Sequence, residues 1–184
     1  NGYIVGPDMD LTGADLKNEN LINVNLTDVI LTGANLFGVK SGNITGTPTL
    51  PTDFHLINGY IVGPHVDLTG AILTDADLTD ADLYGVKSGN ITGTPTLPSD
   101  YHMKNGYIVG PHVDLTGVDL TGVDLTNVDL TNVDLTGANI LNVISGHPNI
   151  PDLYVLETIN YYKCLYKSFQ NFQNVKPFAD LSDN

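Results

Sequence analysis

The chain has no tryptophan, no arginine and a single cysteine, Cys164. One cysteine cannot close an internal disulfide, so no disulfide framework holds the fold and the redox compartment stays open. Only 7 basic residues, all lysine, stand against 21 acidic ones, a net charge of −14 over 184 residues. That balance argues against direct contact with nucleic-acid phosphates or anionic lipid, and favours solubility and cationic partners. No run approaches the roughly 18 apolar residues of a membrane span. The chain opens at Asn1 inside a repeat, so a longer protein is expected to precede it, and the lack of a targeting segment carries no weight.

What is present is a leucine every fifth residue. Leu115, Leu120, Leu125, Leu130 and Leu135 sit in the frame V-D-L-T-G or V-D-L-T-N. A period of five is neither the 3.6 of a helix nor the 2 of a strand, so the chain must turn a corner every five residues. Earlier runs are centred on Leu11, Leu16, Leu21, Leu26, Leu31 and Leu36, and on Leu68, Leu73, Leu78 and Leu83. Two before each centre stands a small or apolar residue. One before it stands Asp or Asn, and after it Thr and then Gly, Asn or Asp. Leu and the small residue would point inward to fill a narrow core, while Asp/Asn and Thr face water. Glu19 and Met9 occupy places where Ala belongs, and Glu19 predicts a bulge or an outward-turned side chain.

Ala14-Asp15-Leu16, Ala34-Asn35-Leu36, Ala76-Asp77-Leu78 and Ala81-Asp82-Leu83 match the consensus A-(D/N)-L-x-x. On these motifs the chain resembles the pentapeptide-repeat proteins over roughly residues 4–147. The resemblance implies an all-β solenoid, a right-handed quadrilateral β-helix with four pentads per turn. Stacked turns would then hydrogen-bond at about 4.8 Å spacing.

A longer repeat is superimposed. Asn-Gly-Tyr-Ile-Val-Gly-Pro starts at Asn1, Asn58 and Asn105, giving units of 57 and 47 residues. Two inserts, at about 49–60 and 96–107, break the pentad frame. Each holds Asn-Gly between apolar flanks, a hairpin signal. If each insert takes one side of the square, both stack on the same face. Phe54 or Tyr101, with Tyr60 or Tyr107, would then form an aromatic ridge. The β-helix with its inserts is assigned to 1–151 and a C-terminal α-helical cap or docking segment to 152–184. Apolar residues at threes and fours predict an amphipathic helix over about 152–174. An open solenoid end needs a cap. The aromatics Tyr154, Tyr161, Tyr162, Tyr166, Phe169 and Phe172 exceed that need and suggest a surface for a protein partner, or for a homodimer through this helix.

Chemistry is sparse. His55, His102, His65 and His112 recur because the repeat recurs, with Asp8 where His65 would be, so they are read as surface residues and no metal or other cofactor is expected. Lys40 and Lys87 are read as solvated, and no catalytic residue is expected. The acidic ladder Asp114, Asp119, Asp124, Asp129 and Asp134 spans consecutive sides, with Asp114 and Asp134 one turn apart. The leading expectation is a non-enzymatic structural or protein-interaction module. It would be a rigid acidic rod acting as spacer or scaffold in a larger chain or assembly, for instance a viral particle or the cell surface. The alternative taken from the family is a DNA mimic that binds DNA gyrase. Ice or mineral binding through the Thr ranks is disfavoured, because they spread around all sides.

Overall fold

A computed structural model describes residues 5–141, 143 and 144. The pentads form a coil whose turns pair in parallel. Asp10 pairs with Ile30, Asp15 with Asn35, Asn20 with Lys40 and Asn25 with Thr45, each 20 residues apart. Twenty residues are four pentads, so one turn has four ladders and residues one turn apart share a ladder. Most rungs are single bridges. Strand β1 (Asn20–Ile22) and strand β2 (Lys40–Gly42) are the one parallel pair of full strands among the described residues.

Each corner has a local cause. The carbonyl of a central Leu accepts from the N–H three residues on, as in Ala14 N–H to Leu11 O at 3.0 Å and Val123 N–H to Leu120 O at 2.9 Å. The residue before that donor has positive φ, for example Gly13 at 68°, Asn18 at 59° and Asn127 at 61°. Gly enters that region freely and Asn, Asp and His at lower cost than other residues, which is why Gly, Asn and Asp dominate the last pentad position and His65 and His112 can also have positive φ. The core is the stack of central residues. Leu16, Leu26, Leu31, Leu36, Leu68, Leu73, Leu78, Leu83, Leu115 and Leu120 are all under 2% exposed. Ala14, Ala34, Ala71 and Ala76, then Val118, Val123, Val128 and Val133, fill the space between them. Each buried Leu contributes about 1.5–3 kcal/mol of transfer free energy.

Glu19 does not bulge the backbone. Its N–H donates to Leu16 O at 3.0 Å, its carbonyl accepts from Lys40 N–H at 3.0 Å, and the side chain is half-buried. A local turn bond and a ladder bond together hold the frame, whatever the side chain prefers. Met9 turns partly outward, 37% exposed.

The inserts are hairpins. Strand β3 (His55–Ile57) pairs antiparallel with β4 (Tyr60–Val62) around Asn58-Gly59, both with positive φ. Strand β5 (His102–Lys104) does the same with β6 (Tyr107–Val109). Thr49 and Thr96 remain ladder residues, paired with Ile30 and Asp77. The chain rejoins the coil at Asp67 and Asp114, which pair with Lys40 and Lys87. Both hairpins therefore leave from the same ladder and return to the same ladder, and the turn that carries one is 27 residues long.

The coil is prepared to receive them. At Ser41 and Ser88 the central Leu is missing, and both serines are buried. Their Oγ atoms accept the Ile61 and Ile108 N–H groups at 2.8 and 2.9 Å. Leucine there would leave those buried N–H groups without a partner. Gly42 and Gly89 follow, each lying under a tyrosine ring (Tyr60 and Tyr107) where an added Cβ would sit 3.1 Å from the ring. Ile61, Val62, Ile108 and Val109, all 0% exposed, then complete the core.

Packing separates Asn1–Pro148 from Asn149–Asn184. The expected helix and cap, with Tyr154, Tyr161, Tyr162, Cys164, Tyr166, Phe169 and Phe172, lie outside the described residues.

Candidate functional site

The outward Asp and Asn residues first serve the corners. Asp119 Oδ1 accepts the Thr121 N–H at 3.0 Å and the Thr121 hydroxyl at 2.6 Å. Asp10 with Thr12, Asp77 with Thr79, Asp114 with Thr116 and Asp129 with Thr131 repeat both bonds. Asp124 and Asp134 accept the N–H of Thr126 and Thr136. This is the physical content of the D-x-T spacing: an Asx turn doubled by a hydroxyl. The bonds from Thr121 hold the Asp119 carboxyl below its ordinary value of 3.8, against a small opposing effect of desolvation. Asp10, Asp77, Asp124 and Asp129 are lowered for the same reason.

A depressed folded pKa contributes stability that is present above the unfolded value and is lost as pH falls through the folded one. Melting temperature is therefore expected to fall as acid protonates these caps below about pH 4. Relief of repulsion among the 21 acidic residues acts in the opposite direction. The triple variant Asp119→Asn, Asp124→Asn, Asp129→Asn separates the two, because an amide Oδ1 accepts the same bond at any pH, as Asn25 does from Thr27. Thermal melts across the acid range should show a shallower loss for the variant. Identical acid slopes for variant and parent would refute the assignment.

One face carries more than caps. Its ladder runs Asn20, Lys40, Asp67, Lys87, Asp114, Asp134. Beside it, at the preceding corner, stands a column of rings. Phe37 and His65 stack with centroids 4.8 Å apart, His65 meets Tyr84 edge-on at 5.1 Å, and Tyr84 stacks on His112 at 5.0 Å. Lys17 Nζ caps the column 4.9 Å from the centre of the Phe37 ring. Phe37 and Tyr84 are 45% and 48% exposed. Gly85 has positive φ, and a side chain there would strike the His65 ring, so glycine is what admits the stack. A groove runs along this face, with the rings on one flank and the charged ladder on the other.

Of the described residues singled out from the sequence as an interaction surface or acidic ladder, Asp114 and Asp134 lie on this face and the rest fall elsewhere. Phe54 and Tyr101 are half-buried beneath Gly63 and Gly110, where a Cβ would collide with their rings. Burial raises the Tyr101 phenol, helped by the charges of Asp82 and Asp100. The Tyr60 hydroxyl accepts the Ile72 N–H at 3.0 Å, standing in for a backbone carbonyl. Tyr107 lies over Gly89. Of the acidic ladder, Asp114 and Asp134 pair with each other, Asp119 with Asn139 and Asp124 with Ile144. Asp129 lies on the ladder that precedes the ring column. His55 and His102 are exposed on β3 and β5. Among the described residues no three His, Cys, Asp or Glu side chains gather as a metal site.

Lys40, Lys87, Phe37, Tyr84, His65 and His112 line the groove; the histidines and lysines were read from the sequence as surface residues, but none of the six as an interaction surface. The available signal was the 47-residue repeat, which maps Phe37 onto Tyr84 and His65 onto His112. Phe37 and Tyr84 also replace the Thr that usually follows a central Leu.

A comparison with curated proteins gives no significant match. Among solved structures the chain is similar to HetL, a pentapeptide-repeat protein involved in heterocyst differentiation regulation from the cyanobacterium Nostoc sp. strain PCC 7120. The two share 23% identity with a TM-score of 0.19, over 77% of this chain and 63% of that one. The present chain thus spans less than two thirds of HetL. The family described as pentapeptide repeats matches in 8 copies, over residues 10–40, 64–87 and 112–143. Those segments coincide with the parallel ladders and their Asx-capped corners, and the chain belongs to the pentapeptide-repeat family.

Proposed function

We propose that this chain is a non-enzymatic protein-interaction module. In this reading it is a right-handed quadrilateral β-helix that serves as a stiff acidic spacer or scaffold in a larger chain or assembly, such as a virus particle or a cell-surface structure. The observation that carries the reading is the state of the outward carboxylates. Asp114, Asp119, Asp124, Asp129 and Asp134 are each held by the Thr of their own corner, at fixed spacing around successive sides of the coil, and they do not converge on one point. Ordered rows of charge suit recognition by another protein's basic surface. The half-buried rings of the hairpins and the segment 152–184 are further proposed contacts for protein partners. No helix among the described residues is long and apolar enough to cross a membrane.

Gel filtration of a native extract tests this. The chain should elute in a complex larger than itself. The Asp119→Asn, Asp124→Asn, Asp129→Asn variant should leave that complex while keeping its melting temperature at neutral pH, because the amides preserve the corners and remove only charge. If the neutralised variant assembles as the parent does, these three carboxylates are not the contact. The DNA-mimic alternative has less support, since Lys40 and Lys87 interrupt what would have to be a single-sign rail.

A further inference from the structure

We infer that the ring-and-charge face pairs with a second copy of the same chain, antiparallel, about a two-fold axis between the Asp67 and Lys87 rungs. The inference deepens the reading of the coil as an interaction module by naming the partner of one face. It is carried by the order of charges. Along the ladder the rungs read neutral, positive, negative, positive, negative, negative, from Asn20 to Asp134. Turned end for end about that axis, Asp67 meets the second copy's Lys87, Lys40 meets its Asp114, and Asp134 meets the amide of its Asn20. No like charges oppose one another.

The neighbouring registers fail. With the axis on the Asp67 rung, Asp67 faces itself and Lys40 faces Lys87. With the axis on the Lys87 rung, Lys87 faces itself and Asp67 faces Asp114. Like charges directly opposed are unfavourable, so a slip of one rung either way is disfavoured, and of the registers free of such clashes the stated one opposes the most unlike charges.

The ring column obeys the same axis. His65 and Tyr84 lie level with Asp67 and Lys87, while Phe37 and His112 lie level with Lys40 and Asp114, as their backbone bonds place them. The axis sets Phe37 against the second copy's His112, and His65 against its Tyr84. A self-complementary patch of this kind is what a two-fold interface requires. Six rungs span only about 24 Å at strand spacing. That is too small for the roughly 800 Å² per partner of a standard interface. The association is therefore weak and concentration-dependent.

Sedimentation equilibrium of the full chain up to millimolar concentration provides the test. The parent should show a monomer–dimer equilibrium. Lys87→Asp turns the two central attractions into repulsions, and Asp67→Lys does the same with the opposite sign. Each should weaken self-association by roughly tenfold to a hundredfold. Mixed in equal amounts, the two variants should dimerise with each other, because both central rungs of one then carry carboxylates and both central rungs of the other carry ammonium groups. Lysine is already accommodated at Lys40 and Lys87 of this ladder, and thermal melts confirm the fold of each variant. A parent that stays monomeric overturns the inference. So does a dimer indifferent to either swap, or a mixture that fails to associate. None of these results bears on capture of the chain in a larger native complex, so the two readings fail separately.

Discussion

Leu31→Ala is expected to lower the unfolding free energy by about 2–5 kcal/mol. Against the 5–15 kcal/mol typical of a whole domain, that is a large fraction. Leu31 is 0% exposed, its N–H donates to Thr49 O at 2.7 Å, and its carbonyl closes the corner at Ala34. The truncated methyls face the inside of a coil whose walls are tied to each other by ladder bonds. The walls cannot collapse onto the void without breaking those bonds, which puts the cost towards the upper end of the range. Urea denaturation should show the midpoint fall with little change in slope. Leu141, also apolar but 62% exposed, is the control, and Leu141→Ala should change stability by less than about 0.5 kcal/mol. Equal effects at the two sites would contradict the inward–outward assignment.

Gly93→Ala should be nearly as damaging, by about 2–4 kcal/mol, for a different reason. Gly93 has φ of 90°, and an added Cβ would lie 2.6 Å from Thr74 Cα and closer still to Thr74 N. The obstacle is backbone, so no rotamer change relieves it. Gly46 faces Thr27 in the same way one long repeat earlier, and Gly46→Ala should match it. Gly70 separates the two contributions: its φ is 78°, but nothing lies within 4 Å of the added atom. Gly70→Ala should cost only the left-handed backbone penalty, about 1–2 kcal/mol. A Gly93 variant no less stable than the Gly70 variant would mean that the two turns are not in close contact there.

These contrasts mark how much could be read in advance. The corner is wholly local. Asp at one position, Thr two on and Gly or Asn after it write a cap and a left-handed turn into five consecutive residues, so pitch and inward face were legible. The hairpins were legible too, because Asn58-Gly59 and Asn105-Gly106 act between adjacent residues. At Glu19 the bulge, one of the two expected outcomes, does not form, because two backbone bonds hold the frame. The tyrosines of the inserts were expected as an aromatic ridge and contact surface; Tyr60 in addition accepts a bond from Ile72 N–H, and its ring lies over Gly42. Nothing within a few residues of Tyr60 foretells either contact.

By itself, then, the sequence determined the period, the corners, the composition of the core, the net charge and the two hairpins, since each follows from interactions across five residues or fewer. Four pentads per turn already set Asp114 one turn from Asp134 and both inserts on one face, but the exact pairings across the inserts were decided by tertiary structure. An ordinary turn joins residues 20 apart, the shortened one joins Ile30 to Thr49, and a hairpin-bearing turn joins residues 27 apart. Those offsets depend on buried Ser41 and Ser88 receiving the returning strands and on Gly46 and Gly93 letting the chain close one residue early. They bring Lys40, Asp67, Lys87 and Asp114 into one alternating column beside stacked Phe37, His65, Tyr84 and His112. The register is set by bonds between distant segments, and the charges and rings become a surface only once it is set.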